Sequence, residues 1–215
     1  MNKLMSVLLT CLLFCAVAGS IQPCAINYQN YYPDGVNSVP TGETALIIQK
    51  HMGFYGDCYT NSNAASAYDG LKNSSIFYFT GHGGPGYLKF PDNTLIIANS
   101  SYGRDAVLSN TGEGDLNMLK LVVLNGCNTA NDDPDIGSLP DEFLRLGADT
   151  VLCFRTPIGN DESNYWSDRF WSYMDKGYTA GDAAYCARND VFFNFGRFGG
   201  MDSYEICGDT LLRLT

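Results

Sequence analysis

Four short apolar runs punctuate this chain, at residues 45–48, 76–80, 121–124 and 150–154, and what lies between them restricts the fold more than any other feature. Each run is four or five residues of mostly Ile, Leu, Val, Phe or Ala, the make-up of a strand buried on both faces. The intervening segments switch to a helical period. Residues 61–71 place Ala64, Ala65, Tyr68 and Leu71 at helical spacing. Ser138, Leu139, Pro140 and Asp141 resemble a capping box with proline in the first turn, and the helix behind them carries Phe143, Leu144 and Leu146 and ends at Gly147. Residues 161–176 set Trp166, Phe170, Tyr173 and Met174 on one face, a stripe that reads as core, and close at Gly177. Thr179 and Asp182 cap a last helix bearing Ala183, Ala184 and Ala187. Strands alternating with helices form parallel βαβ units, so the expected architecture is α/β, a three-layer α/β/α sandwich on a mostly parallel sheet. Residues 87–90 and 94–98 flank Pro91, Asp92 and Asn93 and add a small β-hairpin insertion. Residues 21–43, rich in Asn, Tyr, Gly and Pro, show no period and read as an irregular N-terminal arm ahead of a domain spanning 44–215.

The first 20 residues read as a secretory signal peptide. Lys3 precedes an apolar run over residues 4–17, and Ala18, Gly19 and Ser20 supply small side chains for cleavage. The run is short for a membrane span, and no later segment is long and apolar enough to be one. A secreted or extracytoplasmic protein with no membrane attachment after cleavage is expected. Losing Lys3 leaves 12 basic against 23 acidic side chains. That balance repels nucleic acid and anionic membranes. Cys11 and Cys15 leave with the signal, and six cysteines stay. No CxxC pair occurs and the chain has two histidines, so no metal site is expected. With Cys127 working and Cys153 buried in a strand, Cys24, Cys58, Cys186 and Cys207 remain for two disulfides of open connectivity.

In open α/β sheets ligands bind beyond the carboxyl ends of the strands. Two of the runs end in reactive side chains: 76–80 leads into Gly81 and His82, and 121–124 into Asn125, Gly126 and Cys127. If those strands are neighbours, thiol and imidazole face one cleft about 5 Å apart, one strand spacing. A thiol needs a base to become a nucleophile, and imidazole takes that proton near neutral pH and returns it to a leaving amine. Gly83 and Gly84 allow a sharp turn and close approach to substrate. The backbone N–H groups of Gly83 and Cys127 are candidates for an oxyanion hole. The Gly-rich run 81–86 is followed by a hairpin instead of a helix, so it fails the context a dinucleotide-binding loop requires. Asp132, Asp133 and Asp135 form an acidic loop just after Cys127, read as solvated.

Four segments in order resemble the caspase-like cysteine peptidases, the group of caspases, metacaspases, legumains, gingipains and clostripain, and match CHAT-type domains best. Residues 76–83 are similar to the histidine motif, and 115–129 to the nucleophile motif with its lead-in. Residues 139–148 with Val151 and Leu152 resemble the helix and strand that follow, and 177–180 the start of the last family helix. The resemblance covers about 77–191. It implies a caspase-like fold and peptide-bond hydrolysis through a thioester, with Cys127 as nucleophile, His82 as acid/base, Gly83 as an oxyanion donor, no third carboxylate and no cofactor. The implied partner is a peptide or protein substrate. Asn125 stands where caspases carry Gln and metacaspases Asp, a position that helps line the pocket for the residue before the cut. With Asp132 and Asp133 expected at the cleft rim, the weak expectation is cutting after basic residues. Two other classes share these residues: a non-catalytic interaction module, and a Cys–His amidase or acyltransferase acting on non-peptide substrates.

Overall fold

The apolar runs at 76–80, 121–124 and 150–154 become strands because every side chain in them finds a buried place on one face of a sheet or the other. The computed structural model describes residues 25–31, 37–38, 48, 52, 58–60, 63–99 and 106–214. In chain order these hold β1 (Ala25–Tyr31), β2 (Asn37–Ser38), β3 (Cys58–Thr60), α1 (Ala64–Leu71), β4 (Ile76–Thr80), β5 (His82–Gly84), β6 (Tyr87–Lys89), β7 (Leu95–Ile97), β8 (Ala106–Val107), β9 (Leu121–Asn125), α2 (Leu139–Arg145), β10 (Thr150–Phe154), α3 (Asn160–Asp175), α4 (Ala180–Phe195) and β11 (Tyr204–Gly208). The main sheet runs in the order β11-β10-β9-β4-β1-β2, with β3 also paired to β1. β3, β1, β4, β9 and β10 pair in parallel, and only β2 and β11 run antiparallel to their neighbours.

The arm expected at 21–43 contributes a strand to that sheet, paired to β4 on one side and to β2 and β3 on the other, which corrects the irregular reading. Ile26 and Tyr28 alternate with Asn27 and Gln29, a two-residue period that the poor strand propensity of Asn hides. Of the expected strand at 45–48, Ile48 alone falls among the described residues; it is fully buried but its backbone is helical, which corrects the strand reading at that residue. The proposed signal segment lies outside them.

Alternate strand residues feed two separate cores. Phe77, Phe79, Val122, Leu124, Val151 and Cys153 face α1, α2 and the insertion. Ile76, Tyr78, Leu121, Val123, Leu152 and Phe154 face α3 and α4. Helices on both faces of one sheet make the three layers expected. On the second face Trp166 stacks on Phe170 with ring centroids 4.9 Å apart, and Phe154 meets Trp166 edge-on at 5.3 Å. The helix ends carry the caps read from sequence: Ser138 Oγ accepts from the Asp141 N–H at 3.4 Å and Thr179 Oγ1 from the Asp182 N–H at 3.1 Å. α4 stops at Gly196, whose φ of +69° suits glycine.

The hairpin insertion forms as β6 and β7, with Leu88 opposite Ile96. It is larger than expected. β5 and β8 extend it to a second sheet in the order β5-β6-β7-β8. His82 opens β5 and pairs with Lys89, so it sits where the chain leaves the main sheet for the small one.

Candidate active site

β4 and β9 pair with Thr80 level with Asn125, and the Gly81 N–H donates to the Asn125 carbonyl at 3.1 Å. The two strands therefore stop at the same height. Two residues beyond these ends come His82 and Cys127, both half-buried. Both line one cleft of about 290 Å³, with Thr80, Gly81, Asn125, Ile158, Asn160 and Ser163. The parallel ladder thus sets both residues that the sequence singled out on one cleft.

Cys127 opens a tight turn. Asn128 takes φ of +57°, a left-handed conformation that Asn tolerates better than most residues. Thr129 is fully buried beneath it. Its hydroxyl lies 2.9 and 3.1 Å from the Leu124 and Gly126 carbonyls, and accepts from the Phe154 N–H at 3.1 Å. One side chain thereby fastens the cysteine turn to both β9 and β10.

Glycine is required where the histidine and cysteine segments meet. A Cβ on Gly83 would lie 2.5 Å from Thr129 Cγ2 and 3.1 Å from the Cys127 carbonyl, and one on Gly126 would lie 3.0 Å from the Gly81 carbonyl and 3.2 Å from the Gly83 nitrogen. The backbone of 81–83 is pressed against 126–127. That contact puts Gly83, the candidate oxyanion donor, beside the cysteine.

The far wall of the cleft comes from a segment sequence reasoning passed over. The Ile158 N–H donates to Cys127 Sγ at 3.3 Å, across a separation of 31 residues. Residues 155–159 are held in turn by 197–203: the Arg155 N–H donates to the Ser203 carbonyl at 3.1 Å, Thr156 Oγ1 to Ser203 Oγ at 2.8 Å, and the Gly159 N–H to the Gly199 carbonyl at 2.7 Å. Behind this loop Glu162, buried in the first turn of α3, pairs with Arg197 at 2.5 Å. The rule that ligands bind past strand carboxyl ends was the signal available, since 155–159 follows β10 directly.

Asn125 lies at the floor, almost fully buried. Its Oδ1 accepts from Ser163 Oγ at 2.9 Å, and its Nδ2 donates to Ser167 Oγ at 2.8 Å. Ser167 Oγ donates to the Ser163 carbonyl at 3.0 Å and accepts from Tyr78 OH at 2.8 Å. Burial pushes the Tyr78 phenol well above its ordinary range, so it stays a donor.

Asp132 and Asp133 do not line this cleft. Asp132 borders a different depression with Ser138, Asp141, Arg155 and Glu205. Asp133 Oδ1 accepts from the N–H groups of Asp135 and Ile136, at 2.8 and 3.1 Å, and so caps its own turn. The chain swings away from the cleft after residue 130, which separates in space what is adjacent in sequence. Among the described residues no group of three or more His, Cys, Asp or Glu is placed to hold a metal ion.

Cys127, Cys153, Cys186 and Cys207 are free thiols. Cys207 is set against Cys153, two positions along the β10–β11 pair from Glu205, the residue opposite Cys153. The hydrogen bond between the two thiols raises Cys153, with burial adding to it, and lowers Cys207. The neighbour of Cys207 is thus the strand cysteine that sequence reasoning had set aside. Cys24 and the side chain of Cys58 lie outside the described residues.

No family model matches the chain, and no curated protein sequence matches it. Solved structures do. The Arg-specific cysteine proteinase gingipain R superposes with a TM-score of 0.62 at 12% identity, over 90% of this chain and 47% of its own. A complex of the pro- and mature domains of RgpB from Porphyromonas gingivalis gives 0.65 at 10% identity, over 90% and 49%. Caspase-1 from Spodoptera frugiperda gives 0.53 at 11% identity, over 89% and 90%. The chain spans about half the length of the two gingipain chains and nearly all of the caspase. At such identities the likeness is one of fold, and in fold this chain is a caspase-like α/β/α sandwich of the kind found in these cysteine peptidases.

Proposed function

We propose that this chain is an exported cysteine endopeptidase that cuts peptide bonds with Cys127 as nucleophile and His82 as acid and base. The observation that carries this reading is that His82 and Cys127 both line a single cleft, past the level ends of two parallel strands. The cysteine-peptidase neighbours support it through fold, and the order of the four sequence segments supports a place near CHAT-type domains. Export rests on the apolar run at 4–17 and the small residues after it.

The chemistry follows from the groups present. Cys127 Sγ gives its proton to His82 and bonds to the substrate carbonyl carbon. The oxygen takes the negative charge beside the N–H groups of Cys127 and Gly83, an arrangement whose donors are typically worth about 3 kcal/mol each in the transition state. The C–N bond breaks as His82 protonates the departing amine, which leaves a thioester. Water then attacks the thioester with His82 as base, and the thiol is restored.

Acid-quenched reactions examined by peptide mapping test this sequence of steps. A mass increase equal to the acyl half of the substrate, located on the segment holding Cys127, is the expected result. Turnover with no adduct on Cys127, or with one on another cysteine, would sink the reading. Gly83→Ala tests the contact between the two segments. Its Cβ collides with Thr129 and presses on the Cys127 carbonyl, so the cysteine turn must shift. A displacement near 1 Å predicts a loss of about 10²-fold in kcat/KM, and full activity in this variant would show the contact to be irrelevant.

A further inference from the structure

Among its described lining residues, the cleft beside Cys127 holds titratable side chains only where the chemistry needs them. Of its described lining residues, His82 and Cys127 are the reacting pair, and Thr80, Gly81, Asn125, Ile158, Asn160 and Ser163 are all uncharged. The two carboxylates expected near it are committed elsewhere, Asp132 to another depression and Asp133 to its own turn, and Glu162 behind the cleft loop is paired with Arg197. A cationic or anionic side chain entering this space would shed water without gaining an opposite charge from any of these residues, an unfavourable exchange.

The hydrogen bonds of the floor say which uncharged side chain fits. A hydroxyl has one proton, and Asn125 Oδ1 can only accept, so Ser163 Oγ must direct its proton to Asn125. Asn125 Nδ2 is turned to Ser167, whose own proton goes to the Ser163 carbonyl. The Tyr78 hydroxyl fills the remaining place on Ser167. The second Nδ2 proton of Asn125 is directed to the Ser163 carbonyl at 3.5 Å, so the protons of this chain of groups are all turned toward one another. What Ser163 Oγ retains toward the cleft is accepting capacity, which calls for a donor. Building on the peptidase reading, we infer that the residue preceding the cut bears an uncharged donor, a carboxamide or hydroxyl, in preference to a cationic or anionic group. Asn125 and Ser163 are the residues that set this preference. This replaces the weak expectation of basic residues, which depended on Asp132 and Asp133 reaching the rim.

The same arrangement explains what a carboxylate at 125 would do. In Asn125→Asp the Nδ2 donor to Ser167 becomes an acceptor, and Ser167 has no second proton to offer it. The floor then carries an unbalanced negative charge that a cationic side chain relieves.

Peptidyl acyloxymethyl ketones differing only at the residue next to the reactive group provide the test, with labelling rates at Cys127 of the full chain read by intact mass. Probes with Asn, Gln or Ser are expected to label wild type at least about tenfold faster than those with Arg, Lys, Asp or Glu. Asn125→Asp is expected to shift the ratio toward Arg and Lys by about tenfold or more. Ser163→Ala, a smaller change that keeps the fold if Asn125→Asp does not, is expected to erase the advantage of Asn and Gln over Ala. Fastest labelling of wild type by a charged probe, or equal labelling by all, overturns the specificity while leaving the peptidase reading standing. Labelling of Cys127 by iodoacetamide but by none of the ketones overturns both.

Discussion

On the proposed mechanism, Cys127→Ala is expected to lower peptide cleavage by at least about 10³-fold, and His82→Ala by a similar factor. A nucleophile and its base act as one unit, so removing either removes the covalent route, and removing both costs little more than removing one. What survives is the contribution of binding and of backbone donors, which does not require the thiol. The substitution is mild for the fold. Cys127 is half-buried, and its sulfur makes polar contacts with the backbone N–H and carbonyl of Ile158. Initial rates on a peptide mixture, compared with thermal melting of the same preparations, separate the two effects. A Cys127→Ala protein that melts normally and keeps a tenth of wild-type activity would remove the cysteine from the mechanism. Wild type and variant being equally inert would favour the non-catalytic module of the same fold.

The largest loss of stability is expected in the layer under the sheet. Trp166 is fully buried between Phe154 and Phe170, on the helix whose first turn carries Ser163. Trp166→Ala removes the stacked ring and leaves a cavity that two aromatic neighbours cannot fill, for a cost of about 3–5 kcal/mol. For a domain of this size that is a fall in Tm of roughly 6–20 °C. Trp166→Phe serves as control. The indole N–H has no hydrogen-bond partner among the described residues, so exchanging it for a ring without a polar atom gives up packing volume but no hydrogen bond. Its cost stays well below that of the alanine variant. Differential scanning calorimetry of both variants decides the point, and a melting temperature in Trp166→Ala within 2 °C or so of wild type would contradict the packing argument.

How much could be read in advance depended on whether the deciding interaction was local. The buried strands at 76–80, 121–125 and 150–154 announce themselves by continuous apolar character, and the helices by period and by caps at Ser138 and Thr179. From these came the layers, the mostly parallel sheet, and the two strand ends that carry His82 and Cys127. The strand at 25–31 stayed hidden because its alternation is written in Asn, Gln and Tyr. The antiparallel edge at 204–208 stayed hidden because its residues are half-exposed and show no apolar run. The far wall of the cleft was invisible for a different reason. Ile158 and Ser163 touch Cys127 and Asn125 only after β10 has been laid beside β9, and no spacing in the sequence encodes that meeting. Asp132 and Asp133 failed in the opposite sense, since nearness along the chain was mistaken for nearness in space.

The level ends of β4 and β9 have an evolutionary corollary. What stops both strands at one height is the peptide ladder from Ile76 and Leu121 up to Thr80 and Asn125, and peptide groups are the same whatever side chains they bear. Residues in the outer layers are therefore at liberty to be exchanged one after another, provided each layer keeps its bulk, without moving the platform from which the reacting groups project. A scaffold aligned by its main chain can outlast nearly all of its original letters, which fits a shape still shared where only about one residue in ten agrees.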